Sequence, residues 1–218
     1  MKISVIGLGY IGLPVSVLFA SKGFAVSGTD VSRHVLDTVG CGRCHIIEDG
    51  LEESVSHVVK SGNLKVYDTV QAADVYIICV PTPLKNEAGV PVPDIDHILV
   101  AIESIASVIK DGDLVILEST SPVGTTNLVY ERLSLINGRA VDLDVACCPE
   151  RVLPGQIMHE LQNSPRVVGG VTSRARKRAA ELYRLVVTGE LSETDVLTAE
   201  FCKLAENSFR DLNIAFEN

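Results

Sequence analysis

The sequence has no tryptophan, few aromatic residues and no excess of positive charge. Lysine and arginine together number 19 against 28 aspartates and glutamates, which gives a formal net charge of −9 over 218 residues. An acidic chain is a poor ligand for nucleic acid or for an anionic membrane surface, so we expect neither as a partner. Any anionic ligand must then be held by helix N-termini or by single basic side chains.

Long apolar runs are absent too, although hydrophobic residues make up 46% of the sequence. No run approaches the roughly 20 apolar residues that a membrane-spanning helix needs. A strand pattern begins directly at the N-terminus, so we expect no signal peptide. These features predict an ordinary globular protein located in the cytoplasm.

The six cysteines do not have the pattern of a disulfide framework. Cys79, Cys147 and Cys148 fall in apolar runs, where a reduced thiol behaves as a small core residue. Cys41 and Cys44 form a C-x-x-C pair, but no second pair completes a zinc site, and the turn around Cys41 does not supply the βαβ context of a redox motif. We therefore predict loop thiols, no metal, and a reducing compartment.

Short apolar runs alternate with helical stretches up to about residue 192. Several runs are apolar at nearly every position, which is typical of parallel strands covered on both faces. The alternation predicts an α/β fold with a Rossmann-like, doubly wound parallel sheet over residues 1–192. The predicted strands are 3–6, 25–29, 64–67, 75–80, 114–118, 145–148 and 167–170. The predicted helices are 11–22, 32–39, 51–61, 95–109, 125–135 and 173–186. Residues 87–93 carry two prolines and are predicted to form a loop at the carboxyl edge of the sheet.

Residues 193–218 have the pattern of one long helix. Apolar residues recur there at three- and four-residue steps, and no glycine or other stop signal ends the pattern. We therefore expect this helix to begin a central dimerisation domain, and we expect the chain to be the N-terminal part of a longer protein. The recurring apolar residues are Phe201, Leu204, Ala205, Phe209, Leu212, Ala215 and Phe216.

The strongest functional signal is the segment GLGYIG at residues 7–12, which directly follows the first predicted strand. In a dinucleotide-binding turn, Gly7 would allow the tight turn, Gly9 the approach of a pyrophosphate, and Gly12 the close packing of helix on strand. Asp30 ends the second strand 18 residues after Gly12. A carboxylate there binds a ribose diol and repels a 2′-phosphate, so the sequence predicts an NAD site rather than an NADP site.

Three further polar segments follow predicted strands, at the edge where open α/β sheets bind their ligands. They are VPTP at 80–83, ESTSPVG at 118–124 and CPER at 148–151. Thr82 is a candidate contact to the cofactor, and Gly124 with Thr125 opens a helix whose N-terminus is a candidate anion site. Equally, these prolines and hydroxyls are residues that end strands and cap helices.

Glu150 and Lys203 are candidate catalytic residues. Glu150 ends the sixth strand, where a carboxylate faces the cleft and can act as a general base; the alternative is a solvated acid or an ion pair with Arg151. Lys203 and Asn207 are four residues apart on one helix face and together can stabilise an oxyanion. From spacing alone, an ordinary solvated face is the better reading of that pair.

Taken in order, six segments resemble the N-terminal portion of the nucleotide-sugar (UDP-sugar) 6-dehydrogenase family. They are GLGYIGLP, VPTP, ESTSPVGTT, CPERVLPG, RVVGG and AEFCKLAENSFRDLNIAFEN, and the resemblance spans all 218 residues. CPERVLPG and the final helix look most similar to the UDP-N-acetyl-D-mannosamine dehydrogenase branch. UDP-glucose dehydrogenases usually have a second glutamate where Pro154 stands, which argues against UDP-glucose as the substrate.

The resemblance implies an enzyme of polysaccharide biosynthesis that oxidises the C6 alcohol of a UDP-sugar to a carboxylate in two NAD-dependent steps. It implies that Glu150 is the general base and that Thr120 helps hold the water. It also implies that Lys203 stabilises the oxyanion, with Asn207 as its hydrogen-bonding partner. The residues expected at the cofactor are Gly7, Gly9, Tyr10, Ile11, Gly12, Asp30, Arg33, Pro81, Thr82, Glu118, Ser119 and Thr120.

The family's nucleophilic cysteine lies in a GGxC segment, and no such segment occurs in the sequence. We therefore expect the chain to bind NAD without oxidising a sugar by itself, and we expect the complete protein to be a homodimer. Two other readings stay open. One is a dehydrogenase of the 6-phosphogluconate or hydroxyacid type, and the other is a non-catalytic NAD-binding protein.

Overall fold

The computed structural model describes residues 1–136, 138–152 and 155–217. Its strands are β1 (Lys2–Ile6), β2 (Ala25–Thr29), β3 (Leu64–Tyr67), β4 (Val75–Ile78), β5 (Leu84–Glu87), β6 (Val90–Pro93), β7 (Leu114–Leu117), β8 (Leu135–Ile136), β9 (Arg139–Ala140), β10 (Asp144–Cys147), β11 (Arg166–Gly170) and β12 (Leu191–Asp195). Its helices are α1 (Gly12–Ser21), α2 (Arg33–Gly40), α3 (Leu51–Lys60), α4 (Asp96–Ala106), α5 (Thr125–Ser134), α6 (Ile157–Asn163), α7 (Ser173–Arg184) and α8 (Val196–Glu217).

Within the described residues, one sheet has the strand order β12-β11-β10-β7-β4-β1-β2-β3. Six adjacent strands, β10-β7-β4-β1-β2-β3, pair in parallel with one another, in the order of a doubly wound nucleotide-binding sheet. The strand order reverses between β1 and β4, and such a reversal opens a crevice at the carboxyl ends of the strands. The predicted Rossmann-like fold is therefore confirmed.

The core consists of two apolar layers, one on each face of the sheet. β4, β7 and β10 are buried at every residue, as the predicted apolar runs require. Successive side chains of β4 point to opposite faces, so that Ile77 packs with α1 and α3 while Ile78 packs with α4 and α5. Burying one such side chain contributes about 1.5–3 kcal/mol, so these layers hold the strand ends in place.

Two strands depart from the predicted parallel arrangement. β11 runs antiparallel to β10, and β12 runs parallel to β11 at the edge of the sheet. The predicted helix start at residue 193 is wrong, because residues 193–195 belong to β12 and the helix begins at Val196. This edge strand is mostly exposed and polar, so it lacks the apolar run that identified the others. The predicted domain boundary after residue 192 falls inside β12 and stays a prediction.

The segment predicted as a loop at residues 87–93 instead belongs to a hairpin in which β5 pairs with β6. Ala88 and Gly89 connect the two strands with φ values of 53° and 87°. Positive φ at both residues of a two-residue connection is the geometry of a type I′ turn, which hairpins favour. Helix α6 was not predicted either, since its 7 residues are too few for a helical period to stand out.

Helix α8 is packed along its first half only. Val196, Ala199, Glu200 and Lys203 are buried, whereas residues 208–217 are exposed. Among the residues that the structure describes, no helix combines the length and the apolar character needed to cross a membrane.

Candidate functional site

The glycine-rich turn after β1 has the geometry that its sequence predicts. Gly7 has a φ of +89°, and a Cβ on it would lie 2.7 Å from the Cys79 carbonyl oxygen. A Cβ on Gly12 would lie 1.8 Å from the Gly7 carbonyl oxygen, so a side chain there would separate α1 from the turn. A Cβ on Gly9 would meet nothing within 4 Å. Gly7 and Gly12 are thus required by packing, while Gly9 leaves its backbone open to a ligand.

The Asp30 carboxylate is held in place from two sides. Its Oδ2 accepts a hydrogen bond from the Leu8 N–H, and its Oδ1 accepts one from the Ser32 N–H, both at 2.8 Å. A carboxylate has about four lone-pair sites, so these two bonds orient it and leave acceptor capacity for ribose hydroxyls.

A cavity of about 500 Å³ lies beside this turn, a size typical of small-molecule sites. Gly9, Asp30 and Pro81 line one part of it, and Val70 and Val100 lie among its apolar walls. Apolar walls suit a purine base, and the neighbouring carboxylate suits a ribose. The residues present therefore fit the adenosine half of NAD.

Hydrogen bonds connect the loops that follow β4 and β7. The Thr82 Oγ1 donates to the Thr120 carbonyl oxygen at 2.6 Å, and the Ser119 Oγ donates to the Val80 carbonyl oxygen at 2.8 Å. Thr82 and Thr120 are half-buried and Ser119 is buried. Contacts of these three residues with the cofactor stay predictions.

Three other predicted cofactor residues lie away from the cavity lining. Arg33 is exposed at the start of α2 and pairs with Asp37 at 3.3 Å. Tyr10 is 38% exposed and donates from its hydroxyl to Glu48, while Ile11 packs against the core. Their contacts with NAD also stay predictions.

Glu118 was expected at the cofactor, but its side chain points into the protein and is 0% exposed. Its Oε1 accepts a hydrogen bond from Arg166 at 2.8 Å, and its Oε2 accepts one from the Cys79 thiol at 3.4 Å. This placement argues against contact between the Glu118 carboxylate and NAD. The sequence showed a carboxylate at a strand end, but it did not show that an arginine 48 residues away would enclose it.

Glu150 and Lys203 are brought together by α8 although they are 53 residues apart in sequence. The Lys203 Nζ donates to the Glu150 Oε1 at 3.2 Å, and the Glu150 Oε2 accepts from the Val152 N–H at 2.8 Å. The side chain of Lys203 is 6% exposed, so the reading of a solvated helix face is wrong for this residue. Asn207 lies one turn further along α8 and is half-buried. Pro154, which the substrate argument used, lies outside the described residues.

A buried carboxylate fills the helix N-terminus that was predicted to hold an anion. The Glu200 Oε2 accepts from the Gly124 N–H at 2.6 Å, and its Oε1 accepts from the Thr126 N–H at 2.7 Å. Glu200 comes from α8 and caps α5, so the anion at this N-terminus belongs to the protein itself. The two halves of the interaction are 74 residues apart, and no local pattern announces it.

All six cysteines are free thiols, and Cys79, Cys147 and Cys148 are buried as predicted. Burial raises the pKa of the Cys147 thiol to about 12 and that of the Cys148 thiol to about 11. Thiols in this state are poor nucleophiles. Across the described residues, no three histidine, cysteine, aspartate or glutamate side chains gather as a metal site would require.

The two halves of the site share one edge of the sheet. Asp30 follows β2 and Glu150 follows β10, with β1, β4 and β7 between those strands. Neighbouring strands lie about 4.8 Å apart, so the four steps span about 19 Å. A ligand that crosses this edge meets the dinucleotide-binding turn first and the Glu150–Lys203 pair last.

Residues 1–187 match the family model described as the UDP-glucose/GDP-mannose dehydrogenase family, NAD binding domain. The chain belongs to this family. Because the matching part of the family model is its NAD binding domain, the prediction of NAD as the cofactor is confirmed.

Named relatives cover almost the whole chain. The UDP-N-acetyl-D-mannosamine dehydrogenase of Yersinia pestis is 48% identical over 99% of this chain and 53% of its own length. The enzyme of that name from Campylobacter jejuni is 47% identical over 100% of this chain and 55% of its own length. A solved structure of UDP-D-ManNAc dehydrogenase from Pyrococcus horikoshii superposes with a TM-score of 0.91 at 43% identity, over 99% of this chain and 52% of that one. The chain spans about half the length of the curated relatives it matches.

Proposed function

We propose that this chain is the NAD-binding part of an enzyme that oxidises the C6 alcohol of a UDP-sugar to the carboxylate. The proposed substrate is UDP-N-acetyl-D-mannosamine, and the product is the corresponding uronic acid. The observation that carries the proposal is the Glu150–Lys203 pair, which lies on the same sheet edge as the dinucleotide site. A general base and a cation that can stabilise an oxyanion are what this chemistry needs beside a hydride acceptor.

The residues of the chain divide into those that hold the cofactor and those that act on the sugar. NAD, when bound, supplies the hydride acceptor. Gly9 presents open backbone to its pyrophosphate, and Asp30 accepts hydrogen bonds from its adenosine ribose. The same carboxylate repels a 2′-phosphate, which supports NAD over NADP.

Oxidation of a primary alcohol to a carboxylate removes two hydrides and adds one water, so two NAD⁺ are reduced for each sugar. In the proposal, Lys203 stabilises the negative charge that develops on the substrate oxygen, with Asn207 as its hydrogen-bonding partner. Glu150 accepts the proton of the attacking water, which Thr120 helps hold. The distance of 3.2 Å between Lys203 Nζ and Glu150 Oε1 supports a shared site for both steps.

The choice of sugar, the assembly and the location are part of the proposal. The names of the relatives support the N-acetyl-D-mannosamine derivative as the sugar. The exposed apolar side chains of Phe209, Leu212 and Phe216 on α8 support a homodimer of the complete protein. The free thiols support a reducing cytoplasm.

The test is NADH absorbance with the complete product of the reading frame and a limiting amount of UDP-sugar. We expect two NADH for each UDP-N-acetyl-D-mannosamine and little from UDP-glucose. A yield of one NADH per sugar would contradict the four-electron reaction. NADH production from neither sugar would contradict the substrate class and leave only the NAD-binding domain.

A further inference from the structure

Glu48 lies in the connection between α2 and α3 and joins two segments that are far apart in sequence. Its Oε1 accepts hydrogen bonds from the Tyr10 hydroxyl and, at 2.8 Å, from the Gly155 N–H. Its Oε2 accepts one from the Ile157 N–H at 3.3 Å. Among the described residues, these bonds connect positions that are 38, 107 and 109 residues apart.

The residues that Glu48 joins lie near the two halves of the site, the dinucleotide-binding turn and the Glu150–Lys203 pair. Tyr10 sits in the glycine-rich turn, directly after Gly9, whose backbone is open to a ligand. Gly155 and Ile157 belong to the stretch of chain that continues from Glu150 into α6. A single carboxylate therefore contacts both the dinucleotide-binding turn and the segment downstream of the proposed general base.

We infer that Glu48 is a positioning residue, which couples occupancy of the dinucleotide site to the positions of the Gly155 and Ile157 amides at the start of α6. The inference rests on the proposed function, because it assumes that the turn binds NAD and that Glu150 acts on the sugar. A ligand that orders the turn also orders Tyr10, and Tyr10 transmits this order through Glu48 to the amides of Gly155 and Ile157. Coupling of this kind is reciprocal, so ordering of the Gly155 and Ile157 amides also favours the ligand-bound turn.

The protonation states of Tyr10 and Glu48 suit this role. The hydrogen bond from Tyr10 lowers the pKa of the Glu48 carboxyl below its ordinary value. Burial, together with the bond to Glu48, raises the pKa of Tyr10 to about 12. At neutral pH the tyrosine is therefore the donor and the glutamate the charged acceptor, and charge-assisted bonds are stronger than neutral ones.

Amide hydrogen exchange at Gly155 and Ile157, followed by NMR on this chain, tests the coupling. Exchange is measured without NAD and at saturating NAD. We expect NAD to slow exchange at these two amides by roughly 5-fold or more, the lower end of the usual range of allosteric coupling.

Two variants separate the coupling from a purely structural role. Y10F removes the hydrogen bond from Tyr10 to Glu48 and keeps the bonds of Glu48 to Gly155 and Ile157. Exchange without NAD should then stay as in the wild type, while the slowing by NAD is lost. E48A should accelerate exchange at both amides even without NAD. The matched control is D49N, which removes a charge from the neighbouring exposed residue and should behave as the wild type.

Three results would contradict the inference. A wild-type chain that binds NAD without slowing exchange at these amides overturns the inference and leaves the proposed function standing. A Y10F chain that keeps the slowing also overturns it, because the coupling then bypasses Glu48. A folded wild-type chain that binds no NAD overturns both. If E48A does not fold, the Y10F comparison still decides the question.

Discussion

Two ion pairs lie at the carboxyl ends of neighbouring strands, and they differ in how completely the protein encloses them. Glu118, after β7, pairs with Arg166 at 2.8 Å, and the two side chains are 0% and 3% exposed. Glu150, after β10, pairs with Lys203 at 3.2 Å, and the two side chains are 15% and 6% exposed. In sequence, both carboxylates look alike, since each follows an apolar strand.

The Glu118–Arg166 pair is held on all sides by the protein, whereas the Glu150–Lys203 pair stays partly open. Arg166 also donates to the Leu161 carbonyl oxygen at 3.2 Å and lies 5.1 Å from the centre of the Tyr183 ring. The second oxygen of Glu118 is engaged by the Cys79 thiol. The Glu150 carboxylate, in contrast, keeps partial access to solvent. A carboxylate at a strand end is therefore a candidate site residue, and the extent of its burial shows whether a ligand can reach it.

The largest effect is expected from R166M, which leaves Glu118 buried without its countercharge. Removing one partner of a buried pair costs about 3–5 kcal/mol, so we expect a loss of that size in the free energy of unfolding. Urea denaturation of the 218-residue chain measures it. The double variant R166M/E118Q removes both charges and should recover most of the loss. A loss below about 1 kcal/mol in R166M would mean that the enclosed pair is dispensable.

The next effect concerns the partly open pair. K203M should lower kcat of the complete product of the reading frame by about 100- to 1000-fold, the usual result of removing one oxyanion donor. Its loss in unfolding free energy should be less than half that of R166M, because Glu150 keeps the Val152 N–H and some solvent. The control K177M removes an exposed lysine of α7 and should change neither quantity. A K203M protein that loses stability but keeps its kcat would mean that the Glu150–Lys203 pair is structural and not catalytic.

A third carboxylate, Asp30, sharpens the comparison because it is oriented by two backbone N–H groups and no cation is needed to hold it. D30N keeps the shape and removes the charge. We expect the affinity for NAD to fall about tenfold, as for the loss of one charged hydrogen bond. The ratio of the affinities for NAD and NADP should decrease as well. Isothermal titration calorimetry with both nucleotides measures this. The control E181Q changes an exposed acid of α7 outside the cavity, and an equal change in that variant would contradict a specific role for Asp30.

The smallest effect is expected at Glu48, which is half-buried and accepts hydrogen bonds from Tyr10 and from two backbone N–H groups. Its pKa is lowered from the ordinary value of 4.5 by the hydrogen bond from Tyr10. A lowered folded-state pKa means that the stabilisation is fully present above the unfolded-state value and is lost as the pH falls through the folded-state value. The stability difference between wild type and E48Q should therefore be constant from pH 7 down to about pH 5 and then shrink. Urea midpoints across that range measure it, and a difference that grows on acidification would contradict the assignment.

Local signals in the sequence were sufficient for most of the fold and for half of the site. Strands such as β4 and β7 are covered on both faces, so their apolar runs identify them. The glycine turn and Asp30 are close in sequence and follow a known geometric rule. β12 gave no such signal, because an exposed edge strand with the sequence LSETD needs no apolar side chains.

The rest of the site depends on contacts that no local pattern contains. Whether Glu118 is enclosed depends on Arg166, and whether the start of α5 is free depends on Glu200. Whether Lys203 is solvated depends on how α8 packs across the strand ends. Each of these partners comes from a distant part of the chain, so the tertiary structure decides the role that the sequence leaves open.

The capping of α5 by Glu200 also fixes one point of α8 between its start and the Glu150–Lys203 pair. Phe216 is 16 residues beyond Glu200 and Lys203 only three. At 1.5 Å per residue, these distances are about 24 Å and about 4.5 Å. If α8 pivots at Glu200, both residues lie on the same side of the pivot, and Lys203 is about five times closer to it than Phe216. A displacement of about 1 Å at Phe216 would then move Lys203 by only about 0.2 Å, and the contact with Glu150 would change little when the exposed end moves.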